Sequence, residues 1–233
     1  MHSIDNQIAN VRQRVARAAH EAGRQSDSVR LIAVSKTHGI DAIRLAARTG
    51  IREFGENYVD EALPKIMETQ ALQLRWHFLG AIQANKTRAI ARNFHWVQTV
   101  DRTKVAERLS AQRPEDTEPL NVLIQINIDA EPQKAGIAPE ALAEFAARLL
   151  ELPRIRVRGL MAIPRPEVEP AMQRLAFRRM RALFETARPA GADCWDTLSM
   201  GMTHDFDVAI AEGATMIRIG TAIFGLREPR QHG

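Results

Sequence analysis

Short apolar runs and helical stripes alternate along this chain. Ile4, Ile8, Val11, Val15 and Ala18 recur at helical spacing over Ser3 to Ala22. Ser3 is placed to cap that helix, and Gly23 follows its end. RLIAVS at Arg30–Ser35 is a short apolar run that reads as a buried strand. Asp41 to Thr49 then reads as a helix ended by Gly50. Further strands are expected at Ile51–Phe54, Arg75–Leu79, Trp96–Val100, Asn121–Ile128, Val157–Ala162, Thr197–Met200 and Met216–Ile219. Helical patterns fall between them, at Val59–Thr69, Gln83–Arg92, Arg102–Gln112, Pro139–Leu150, Pro170–Ala187 and Phe206–Glu212. Strands alternating with helices imply parallel pairing through helical crossovers. Eight such units close into a (β/α)8 barrel, here with an extra N-terminal helix. A doubly wound open sheet shares the local pattern and is the alternative, because periodicity does not fix the strand count.

No composition shift splits the chain, so residues 1–233 are expected to form one domain. Arg113–Pro119 and Pro164–Pro170 read as loops. A chain of 233 residues that is 45% hydrophobic supports a large core. Aromatics at 5% argue against a β-sandwich or a base-stacking platform. The single cysteine, Cys194, excludes a disulfide framework and a cysteine-based zinc site, and no metal is expected. No run is long enough for a membrane helix, and MHSIDNQIAN lacks the apolar core of a signal peptide. A soluble, cytoplasmic protein is expected, with neither membrane nor nucleic acid as partner. The net charge of +4 is too small an excess to change that. RLAFRRMR at Arg174–Arg181 reads first as a solvated helix face and second as a surface for an anionic partner.

In a barrel, chemistry sits where strands end and loops begin. The first strand ends in Ser35-Lys36-Thr37. A strand-end lysine over the mouth, its amine pKa lowered by desolvation, is a nucleophile for carbonyls; the plain alternative is a lysine that snorkels to water. After the second strand, Asn57 either presents its amide to a ligand or caps the next helix. His77 alternates with apolar neighbours and so points inward, where a satisfied core histidine is the commoner outcome. The last two strands end in Ser199-Met200-Gly201 and Arg218-Ile219-Gly220-Thr221. Loops after strands seven and eight often hold phosphate through backbone N–H groups, and small residues let the backbone approach. Together these residues suit a phosphorylated carbonyl compound. Pyridoxal phosphate fits, and so does a sugar phosphate in a lysine-dependent aldolase.

Seven segments carry a resemblance: LIAVSKT (31–37), FGENYV (54–59), WHFLGAIQANK (76–86), VLIQINI (122–128), RGLMAIP (158–164), LSMGMTHDF (198–206) and MIRIGTAIFG (216–225). In this order they resemble the pyridoxal-phosphate homeostasis protein family, which has an alanine-racemase-like fold type III barrel. The resemblance implies that Lys36 forms the internal aldimine with pyridoxal 5'-phosphate and that Arg218 faces the pyridine nitrogen. It implies a phosphate cradle from Ser199, Met200, Gly201, Gly220 and Thr221, with Asn57 and His77 lining the pocket. His38 and Gln133 depart from the family's usual lysine and serine. The resemblance further implies no catalytic residues, a role in cofactor homeostasis and supply to PLP-dependent apoenzymes, and a monomer. Racemases of this fold take a tyrosine from a second domain, whereas this sequence has one tyrosine, Tyr58, and ends three residues after Arg230. A low-activity racemase or decarboxylase of the same fold is the alternative.

Overall fold

A computed structural model describes residues 3–165 and 169–225. Eight parallel strands close into a barrel: β1 (Arg30–Val34), β2 (Glu53–Glu56), β3 (Arg75–Phe78), β4 (Trp96–Val100), β5 (Leu120–Gln125), β6 (Ile155–Met161), β7 (Thr197–Ser199) and β8 (Met216–Ile219). The order is sequential, and β1 pairs with both β2 and β8. The open-sheet alternative is thereby excluded.

Each crossover carries a helix: α2 (Ile40–Arg48), α3 (Val59–Glu68), α4 (Thr87–Asn93), α5 (Thr103–Gln112), α6 (Leu142–Leu150), α7 (Pro170–Thr186) and α8 (Phe206–Ala211). The N-terminal helix α1 spans Ile4–Glu21, and the Ser3 hydroxyl accepts from the Asn6 N–H at its start. Its stripe of Ile8, Val11, Val15 and Ala18 is buried, and the helix packs against α8 and α9 (Thr221–Phe224).

Strand alternation sorts the side chains into two cores. Residues such as Phe54, Trp76, Phe78 and Ile217 point outward and pack under the helices. Ile32, Trp96, Leu123, Met161 and Met216 point inward and form a separate apolar cluster inside the barrel. Polar inward residues lie above and among them: His77, Gln98, Ser199 and Arg218 are all buried.

Two expectations change in detail. The run expected as strand to Ile128 pairs only to Gln125, after which Ile126 makes a single bridge to Ile137. The helix expected from Gln83 opens as a short 3-10 turn, Ala84–Lys86, before α4. The arginine-rich helix keeps Arg174, Arg178 and Arg181 exposed, as a solvated face should, with Arg174 and Arg178 paired to Glu212 at the end of α8 and Arg181 to Glu185 one turn on in α7. The centre of the expected Pro164–Pro170 loop, residues 166–168, lies outside the described residues, as does the chain from 226.

Candidate functional site at the C-terminal mouth of the barrel

Lys36 lies two residues beyond the end of β1 and is half-buried. Its flanks are held rigidly. The Ser35 N–H donates to the Gly55 carbonyl at 3.0 Å, and the Ser35 hydroxyl donates to Glu56 Oε1 at 2.6 Å. The Thr37 N–H donates to Glu61 Oε1. Thr37 adopts φ 69°, a left-handed conformation that a β-branched residue holds only when its surroundings enforce it. Buried Lys65 completes the clamp, donating to Glu56 Oε1 at 2.8 Å, Glu61 Oε1 at 2.7 Å and the Ser35 carbonyl at 3.0 Å. Burial pushes the Glu56 carboxyl up, against the charge and hydrogen bond of Lys65.

Facing this turn is the end of β8. A Cβ on Gly220 would stand 3.4 Å from the Val34 carbonyl oxygen, so the two strand ends are close neighbours. Arg218 is buried, donating through one terminal nitrogen to Ser199 Oγ at 2.6 Å and through the other to the Ala162 carbonyl at 3.0 Å. Burial pulls its pKa down to about 10, opposed by the nearby Asp205 carboxylate, so it remains a cation at neutral pH. Asp205 itself is pushed up by burial, against the Met202 N–H that it accepts at 2.6 Å.

The loops after β7 and β8 bring together Gly201, Gly220 and Thr221, and among the described residues their backbone N–H groups meet no acceptor. Gly201 adopts φ 94°, and a Cβ there would press on Ala209 and Phe206 of α8, so only glycine fits. Met200 is buried and its N–H is already given to the Met216 carbonyl. The Ser199 hydroxyl is likewise committed: it accepts from Arg218 and donates to Gln98 Oε1 at 2.7 Å. Among the described residues, the backbone N–H groups of Gly201, Gly220 and Thr221 thus remain open at these loops, whereas the Ser199 hydroxyl and the Met200 N–H already have partners.

Asn57 stands at the end of β2, half-buried, its side chain without a partner among the described residues. The N-cap of α3 is Tyr58, not Asn57, so the capping alternative does not hold. Gly80 presses against it: a Cβ there would stand 2.0 Å from the Asn57 carbonyl oxygen. His77 does not belong to the mouth. It is fully buried within the barrel, stacked on Trp96, with Nε2 2.7 Å from Glu53 and Nδ1 accepting from Gln98 at 3.0 Å. Neither ring nitrogen is left for a ligand.

Sequence reasoning missed Glu56, Lys65, Glu61 and Gln98 as parts of the site. FGENYV contains Glu56, but nothing local distinguishes a buried clamp from a strand-end acid. Among the described residues, no group of histidine, cysteine or acidic side chains is arranged to hold a metal ion, and no helix is long and apolar enough to cross a membrane.

The chain that folds into this parallel eight-stranded barrel matches the family model of the alanine racemase N-terminal domain over residues 7–228. Within that class, the chain is 51% identical to the pyridoxal phosphate homeostasis protein of Pseudomonas aeruginosa over 98% of this chain and 97% of the relative. It is 49% identical to the protein of that name in Haemophilus influenzae, over 97% of this chain and 96% of the relative. Among solved structures, PipY of Synechococcus elongatus with PLP bound superposes with a TM-score of 0.81 at 35% identity, covering 96% of this chain and 100% of that one. The chain belongs to the pyridoxal phosphate homeostasis protein family.

Proposed function

We propose that this protein binds pyridoxal 5'-phosphate at the C-terminal mouth of its barrel, with Lys36 as the residue of covalent attachment, and serves intracellular homeostasis of that cofactor. One observation carries the reading: the clamped Lys36 turn adjoins the end of β8, which carries the buried cation Arg218, and the backbone N–H groups of Gly201, Gly220 and Thr221 have no acceptor among the described residues. An aldehyde bearing an aromatic nitrogen and a phosphate meets each of these groups with its complement. The residues present thus fit the cofactor.

When bound, pyridoxal phosphate supplies an aldehyde that amines attack and a ring that accepts electrons. Lys36 would be the residue that holds that aldehyde through its ε-amine. Gly201, Gly220 and Thr221 give backbone N–H groups to the phosphate, and the Thr221 hydroxyl adds a fourth donor. Asn57 offers its free amide to the ring side of the pocket. Arg218 would face the ring nitrogen as a cation that can only donate, and so would oppose a second positive charge there.

That placement supports storage and supply over turnover. A ring held unprotonated is a weak sink for electrons from an amino acid's α-carbon, whereas an acidic residue in the position of Arg218 would strengthen it. Release of the cofactor from Lys36 to another amine would suit delivery to PLP-dependent apoenzymes. The described barrel would act as one binding unit, monomeric and cytoplasmic.

The test is transfer. Purified protein loaded with pyridoxal phosphate is mixed with a cofactor-free transaminase in the presence of a scavenging enzyme for free pyridoxal phosphate. Restored transaminase activity supports supply. Rapid loss of α-deuterium from a panel of amino acids, with no transfer, would replace this reading with that of a small racemase or decarboxylase.

A further inference from the structure

Arg218 is joined to the opposite layer of the barrel by an unbroken line of hydrogen bonds. It donates to Ser199 Oγ at 2.6 Å, and Ser199 Oγ donates to Gln98 Oε1 at 2.7 Å. Gln98 Nε2 donates to His77 Nδ1 at 3.0 Å, and His77 Nε2 stands 2.7 Å from Glu53 Oε2. Ser199, Gln98 and His77 are fully buried, and they come from three different strands.

The direction of every link is forced. A guanidinium only donates, so the Ser199 oxygen accepts and its one hydrogen goes to the Gln98 carbonyl. The opposite Gln98 orientation would aim two donors at one Ser199 oxygen and strand the hydroxyl hydrogen in a dry interior, an expensive arrangement. The Gln98 amide group then donates to Nδ1, which leaves the proton of a neutral imidazole on Nε2. The Glu53 carboxylate is its acceptor. Burial pushes the His77 pKa down, with Arg30 and Arg75 adding to it against Glu53. Glu53 is held below the ordinary carboxylate range because His77, Arg30 and Arg75 together outweigh its own burial. The chain therefore runs from a buried cation to an anion, with neutral groups between and every donor pointing the same way.

We propose that Glu53, His77 and Gln98 are positioning residues for Arg218, fixing the direction of its guanidinium toward the bound cofactor's ring nitrogen from inside the barrel. This rests on the reading of Arg218 given above. Directional chains of this kind polarise each link in a low-dielectric interior, so a break in the middle is felt at the end.

Two measurements test it. Nitrogen-resolved NMR of the cofactor-free wild-type protein should find His77 neutral and protonated on Nε2 at about pH 7.5. An Nδ1–H tautomer or an imidazolium overturns the proposal, and this reading needs no cofactor. Gln98→Met keeps the volume and both end charges but cuts the chain. It should weaken binding of pyridoxal phosphate about tenfold and displace the visible absorption maximum of the bound cofactor, with Lys36 still labelled. Unchanged affinity and spectrum overturn the proposal. Should Gln98→Met not fold, Glu53→Gln keeps an acceptor for Nε2–H and removes only the charge, and the same displacement of the spectrum is expected. A wild-type protein that takes up no pyridoxal phosphate sinks the proposed function instead, while the tautomer still decides whether the chain exists.

Discussion

Ser35 donates its hydroxyl hydrogen to Glu56 at 2.6 Å, and this bond ties the residue before Lys36 to the end of the neighbouring strand. The same carboxylate oxygen receives Lys65, whose amine also reaches Glu61 and the Ser35 carbonyl. The geometry of the Lys36 turn is thus set by an ion-pair cluster behind the site. Removing one partner of such a buried pair leaves a charge with no compensation. Lys65→Met is expected to reduce unfolding free energy by about 3–5 kcal/mol, measured by urea denaturation. Adding Glu56→Gln should recover much of that loss, because the stranded carboxylate is then gone.

Acid should charge the buried histidine. Burial pushes His77 below the ordinary 6.5, so the unfolded chain binds a proton there that the fold refuses. Its contribution to stability is present above 6.5 and is lost as pH falls below it, with a limiting slope of about 1.4 kcal/mol per pH unit. Glu56 works the other way. Its pKa is raised from 4.5, so its contribution is present below 4.5 and declines as pH rises through the raised value. Urea midpoints measured from pH 7.5 down to 5 should fall in the wild type and fall more steeply in Glu56→Gln.

Gly80 has no room for a side chain. A Cβ would lie 2.0 Å from the Asn57 carbonyl oxygen and 2.8 Å from its carbon, both backbone atoms. Gly80→Ala must therefore displace the end of β2 that carries Asn57. A loss of about 1–3 kcal/mol in stability is expected, together with weaker cofactor binding, followed by thermal unfolding and by absorption titration.

The phosphate contacts are separable from the rest. Thr221→Ala removes one hydroxyl and should weaken binding by about 1 kcal/mol, read by titration with pyridoxal phosphate. Pyridoxal lacks the phosphate and so cannot use the N–H groups of Gly201, Gly220 and Thr221. Equal affinity for the two compounds would contradict a cradle at these loops.

The barrel was legible because its cause is local. Short apolar runs alternate with helical stripes, and that rhythm survives in all eight strands, three to seven residues long. Lys36 and the loops around Gly201 and Gly220 were legible for a related reason: they stand at strand ends, where a barrel puts its chemistry. The partners behind them were not. Gln98 sits in a strand that reads WVQTV, where one polar residue looks like ordinary alternation. Its significance depends on Ser199, 101 positions away, and on His77, 21 positions away. Lys65 on α3 likewise has the pattern of a helix-surface lysine, and only the closed fold buries it against Glu56. The alternation around His77 shows that it faces inward, but the depth at which it lies follows from barrel register, which spacing does not reveal.

The central claim is that Lys36 holds pyridoxal phosphate covalently. Its most direct test is borohydride reduction of the loaded protein, then peptide mapping by mass spectrometry. Reduction should fix one phosphopyridoxyl group per chain on the peptide containing Lys36, and Lys36→Ala should lose both the label and the visible absorption band while keeping its fold. A label residing wholly on Lys86 or Lys134, with Lys36 unmodified, would contradict the account.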